Sequence, residues 1–132
     1  MQFIHLAEGA YPKESCTYLI DFFETNISLA EPGRAGSKKL NNLEICLDID
    51  FRNPNSNIFG LENTLENILF QYKQKFPLID TNIGRWHVSP TCQLSRYEPN
   101  NFYDFIHCDV GKSCRNRILV WMIYLNDIKQ GG

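Results

Sequence analysis

Eight consecutive apolar residues, 118–125 (ILVWMIYL), constrain this chain more than any other feature. Eight residues is a strand's length, far short of the roughly 20 that a membrane helix needs. The run is apolar at both odd and even positions, so it predicts a central strand covered on both faces. A chain of 132 residues can supply that cover, since it can bury roughly two-thirds of its unfolded surface. The length favours one domain, or a piece of one. Lys and Arg number 13 against 15 Asp and Glu, a net charge of −2. That balance implies neither a basic nucleic-acid-binding surface nor an acidic disordered tail. The opening MQFIHLAEGA has no basic stretch leading into a long apolar one, so no secretory signal is expected.

The five cysteines (16, 46, 92, 108 and 114) are odd in number and widely spaced. No C-x-x-C occurs, so neither a zinc knuckle nor a thioredoxin-type motif is written here. Reduced thiols in a cytoplasmic protein are the expectation. A Cys108–Cys114 pairing across a loop is the minor alternative.

The first part of the chain reads as helical. Residues 13–26 set Cys16, Leu19, Ile20, Phe23 and the following Ile27 at helical spacing, with Pro12 at the first turn and Asn26 near the stop. A second helix is expected over 61–76, with Leu61, Leu65, Ile68, Leu69, Tyr72 and Phe76 as its stripe and Pro77 ending it. Both stripes read as core packing. Residues 31–39 (EPGRAGSKK) and 52–57 (RNPNSN) read as surface loops.

Strand patterns fill the rest. Residues 43–51 (LEICLDIDF) alternate apolar and polar, a strand with one wet face. Residues 92–98 form a second strand, Pro99-Asn100-Asn101 a turn, 102–109 the returning strand, 110–116 a polar loop, and 117–126 the central strand. Helices followed by β segments predict an α+β layout, with helices packed on one side of a sheet.

The chemistry concentrates in residues 92–132. In His107-Cys108-Asp109, positions i and i+2 of a strand share a face, so the imidazole and the carboxylate can enter one cavity while Cys108 faces away. These are two of the three ligands of a 2-His-1-carboxylate Fe(II) site, whose other face stays open. Alone, H-x-D is a weak signal.

Its flanks form an ordered pattern: Tyr97-Glu98-Pro99, Phe102-Tyr103-Asp104-Phe105, His107-x-Asp109, Arg117-Ile118-Leu119, Tyr124-Leu125-Asn126 and Gly131-Gly132. The pattern resembles the prolyl 4-hydroxylase-like branch of the Fe(II)/2-oxoglutarate-dependent dioxygenases, over roughly the last third of the chain. It departs at the turn, where the family often has a glycine and this chain has Asn100-Asn101. The resemblance implies a double-stranded β-helix (a jelly roll, cupin-like), with N-terminal helices supporting a barrel that is incomplete in this chain. It implies Fe(II) held by His107 and Asp109. It implies 2-oxoglutarate lined by Tyr97 and, at its distal carboxylate, by Tyr124, which shares a parity with Val120 and Met122. Ascorbate dependence is implied by the same analogy. Arg117 matches a position with a structural flavour. Lys112, Arg115 and Arg117 otherwise read as a solvated loop cluster.

The activity implied is hydroxylation of a peptide, protein or small-molecule substrate, coupled to oxidative decarboxylation of 2-oxoglutarate. The family's third ligand, a downstream histidine, and the basic residue that pairs with 2-oxoglutarate have no counterpart through Gly132. His5 and His87 both lie upstream. The expectation is a fragment of a longer reading frame, inactive by itself. The competing expectation is a non-enzymatic scaffold or binding domain of the same fold. A zinc or cupin-type protein without 2-oxoglutarate is a third.

Overall fold

The computed structural model describes residues 3–33, 42–48, 58, 60–82, 88–89, 91–101, 109, 115 and 117–129. Within them the protein is α+β, with helices and a three-stranded antiparallel sheet.

Helix α1 spans Lys13–Thr25. Pro12 stands one position earlier than the sequence reading puts it, as the N-cap, and its carbonyl accepts the first helical bond from the Cys16 N–H at 3.0 Å. Cys16, Leu19 and Phe23 are the buried face. Asn26 ends the helix with backbone and side chain together: its N–H donates to the Phe22 and Phe23 carbonyls, and its Nδ2 donates to Phe22 at 2.8 Å. That satisfies carbonyls a helix end leaves bare. A single 3₁₀ turn, Ile27–Leu29, follows, and here Ile27 is exposed rather than part of the stripe.

Helix α2 spans Leu61–Lys75, started by Gly60 in the left-handed region (φ 85), a conformation that suits glycine. Leu61, Leu65 and Tyr72 are its buried residues. The helix ends as the sequence reading expects, yet Pro77 also begins something: α3, Leu78–Asn82. Proline's fixed φ suits the entry to a helix as well as its exit. The Asp80 N–H donates to the Pro77 carbonyl, and Lys73 pairs with Asp80 at 2.7 Å.

The sheet order is β1-β2-β3, with β1 at Glu31–Pro32, β2 at Leu43–Asp48 and β3 at Thr91–Arg96. The loop expected over 31–39 is corrected at its start, because Glu31 pairs with Glu44 and Pro32 with Leu43. A proline fits there because an edge strand needs no N–H on its outer side. Between β2 and β3, Leu43 faces Arg96, Ile45 faces Leu94 and Leu47 faces Cys92 on one side of the sheet. Glu44 and Cys46 oppose Ser95 and Gln93 on the other, and Asp48 is in register with Thr91. The expected alternation of β2 holds over its described length.

The core lies between this first face and the helices. Leu19, Ile58, Leu61 and Leu65 form its buried centre, joined by Tyr11, Leu47, Val88, Cys92, Leu94, Ile123 and Leu125. The central-strand expectation for 117–126 finds no described partner, since its expected neighbour 102–109 lies outside the described residues except for Asp109. Among the described residues this segment joins no ladder, and its even positions are exposed. No helix among the described residues is long and apolar enough to cross a membrane.

Candidate functional site

Strand β3 delivers the first candidate, Tyr97, directly after Arg96. The Tyr97 ring is 46% exposed. The chain then turns, with Pro99 following Glu98 and Asn100 at φ 70, and the Asn101 N–H donates to the Glu98 carbonyl at 2.9 Å. Proline at the second position and a left-handed residue at the third is the type II arrangement, whose third position favours glycine and accepts asparagine. Asn100 therefore does locally what glycine does.

The end of β3 is anchored by Arg96. Its guanidinium donates to both carboxylate oxygens of Glu24 on α1, at 2.9 and 3.1 Å, and to Glu98 two residues on. It also lies over the Phe23 ring, 5.8 Å from the centroid. The hydrogen bond to Glu24 raises its already high pKa. This fork ties helix, strand and turn together on either side of Tyr97. Sequence reasoning missed it because Glu24 and Arg96 are 72 residues apart.

Asp109 is half-buried. His107 lies outside the described residues, as do Lys112, His87 and both Cys108 and Cys114. Arg115 and Arg117 are exposed, in keeping with a solvated cluster. Tyr124 is 66% exposed, on the same outward side as Val120 and Met122, so among the described residues this face lines no enclosed pocket. Cys16, Cys46 and Cys92 carry free thiols. His5 sits elsewhere, its Nε2 3.1 Å from Gln71 Oε1 on α2. Among the described residues no three His, Cys, Asp or Glu side chains gather as a metal site would require. The structure thus puts Tyr97 and its turn together, but does not bring Tyr97, Asp109 and Tyr124 into one described cluster.

Comparison with protein-family models, with curated proteins and with solved structures found no match to this chain.

Proposed function

We propose that this chain is part of an Fe(II)- and 2-oxoglutarate-dependent dioxygenase of the prolyl 4-hydroxylase type, built on a double-stranded β-helix and working in the reducing cytoplasm. The observation that carries the reading is the ordered pattern from Tyr97 through His107-x-Asp109 to Tyr124-Leu125-Asn126. The turn geometry supports it. The one local departure from the family, asparagine for glycine, falls on a left-handed backbone position where those two residues are the natural choices.

An imidazole and a carboxylate are donors that suit Fe(II), and the half-burial of Asp109 fits a ligand at the wall of a cavity. When bound, the metal supplies oxygen activation coupled to decarboxylation of 2-oxoglutarate. The chain's own part is to hold and orient. His107 and Asp109 would supply two of the metal's ligands, Asp109 from a bend rather than from a described strand. Tyr97 offers a phenol to the cosubstrate beside the metal, and Tyr124 offers one to its distal carboxylate. The resemblance assigns no third ligand in this chain, His5 and His87 both standing upstream of the H-x-D pair.

A second reading, a scaffold of the same fold without turnover, is favoured by one observation: the Val120, Met122 and Tyr124 face is open among the described residues. One pair of measurements separates the two. The reading frame is followed past Gly132 in the source DNA and checked by intact mass of the native product. That product is then titrated anaerobically with Fe(II) and 2-oxoglutarate. The enzyme reading expects a downstream histidine and a charge-transfer absorption that needs both components and disappears in His107→Ala and Asp109→Ala. A stop codon directly after Gly132, or metal binding indifferent to 2-oxoglutarate, sinks it.

A further inference from the structure

Strand β3 alternates along its length. Cys92, Leu94 and Arg96 turn toward the helices and are half-buried, while Thr91, Gln93 and Ser95 turn away and are exposed. Tyr97 carries the alternation one residue past the ladder, exposed on the outward side. Arg96 and Tyr97 therefore leave the sheet on opposite sides. On the helix side Arg96 is gripped in three directions. Its Nη1 donates to both carboxylate oxygens of Glu24 on α1, its Nη2 donates to Glu98, and its guanidinium lies over the buried Phe23 ring. Glu98 in turn accepts the Asn101 N–H through its carbonyl, which closes the turn after Tyr97. The side chains of Glu24 and Glu98 are 50% and 54% exposed, and ion pairs in such places contribute little to stability. What a planar guanidinium with fixed donors supplies here is position.

We infer that Arg96 is a positioning residue for Tyr97: by gripping Glu24 and Glu98 on the helix side of the sheet, it sets where the Tyr97 phenol meets 2-oxoglutarate on the other side. The inference rests on the dioxygenase reading for the identity of that ligand. A binding group has to be held within about 0.5 Å of its working place. Tyr97 follows the last ladder residue of β3 directly, so the grip on Arg96 and the closed turn at Glu98–Asn101 fix its backbone from both sides. Outer partners that orient a binding group matter by roughly 10–100-fold in affinity or activity. Helix α1 thereby enters the function through Glu24, a residue that itself meets neither metal nor cosubstrate in this reading.

Anaerobic titration of the intact native product, loaded with Fe(II), reads the 2-oxoglutarate dissociation constant from the charge-transfer absorption. Arg96→Gln should raise that constant about tenfold. Fe(II) affinity should not change, because the fork grips Glu24 and Glu98 while the metal's donors are His107 and Asp109. Arg96→Lys keeps the charge without the fork and should recover only part of the loss. Glu24→Gln should raise the constant by a smaller factor. In a Tyr97→Phe background, where the phenol hydroxyl is already gone, Arg96→Gln should add little. A fork that serves only the fold would lower the urea midpoint of these variants and leave the dissociation constant at its wild-type value. That result overturns the inference, and so does an equal loss with and without the Tyr97 hydroxyl. If Arg96→Gln does not fold, Glu24→Gln decides by the same reading, since it leaves the guanidinium and its bond to Glu98 in place. Wild type with no absorption that needs both Fe(II) and 2-oxoglutarate sinks the dioxygenase reading and this inference together. Wild type with that absorption, and variants that bind 2-oxoglutarate as it does, sink this inference alone.

Discussion

Cys92 shows how a single side chain reports its surroundings. It sits on the core face of β3, opposite Leu47 and beside Leu94. Burial, with a smaller contribution from Cys46, pushes its thiol from the ordinary 9.0 up to about 11. Burial raises Cys16 and Tyr11 as well. The sign is the same for all three: the folded chain keeps a proton that the unfolded chain gives up. For Cys92 that contribution is complete below about pH 9 and is lost as pH rises toward 11. For Cys92, allowing for its partial exposure, the loss is on the order of 1 kcal/mol by about pH 10. Denaturant melts on either side of that window should show a shallower alkaline decline in Cys92→Ala than in wild type. Parallel declines would mean that the thiol is not differentially protonated.

At the scale of elements, the β1–β2 junction turns on one glycine. The Gly33 N–H donates to the Asn42 carbonyl at 2.9 Å, and a Cβ on Gly33 would fall inside the Asn42 side-chain amide. Asn42 is only 2% exposed, and its Nδ2 donates to Glu44 at 2.7 Å, so it has little room to withdraw. Gly33→Ala should therefore cost about 1–3 kcal/mol, read as a lower urea midpoint at unchanged slope. Wild-type stability in that variant would show that the contact relaxes freely. This contact was not legible in advance. Pro32 and Gly33 read as loop punctuation, and only the pairing with β2 makes Glu31–Pro32 a strand. Helices α1 and α2 were legible almost to the residue, because their stripes are local and every turn repeats the signal. Five-residue α3 has too few turns to repeat anything. Of the candidate site, the H-x-D pair and the turn at Pro99 are local patterns. The Arg96 fork depends on partners that neighbouring residues do not encode.

Over the whole molecule, one apolar cluster connects segments far apart in the chain. Leu65 of α2 belongs to the same core as Leu19 of α1, Leu94 of β3 and Leu125 near the end. A change there is expected to act on all of them. Leu65→Ala should destabilise by about 2–5 kcal/mol, a large share of the roughly 5–15 kcal/mol a domain has. Helical circular dichroism and tryptophan fluorescence should lose their midpoints together in denaturant. Separate transitions would show that helices and sheet unfold as independent units.

The first residues of the chain are held by α2: the Tyr72 hydroxyl donates to the Phe3 carbonyl, and Lys75 Nζ donates to the Ile4 carbonyl, both at 3.2 Å. That arrangement sets a clock on synthesis. The partners lie 69 and 71 residues downstream, and a ribosome adding about 5–20 residues per second takes roughly 4–14 s to reach them. For that interval Phe3, Ile4 and Leu6 travel ahead of their docking site, and their apolar side chains are offered to whatever chaperone is nearest.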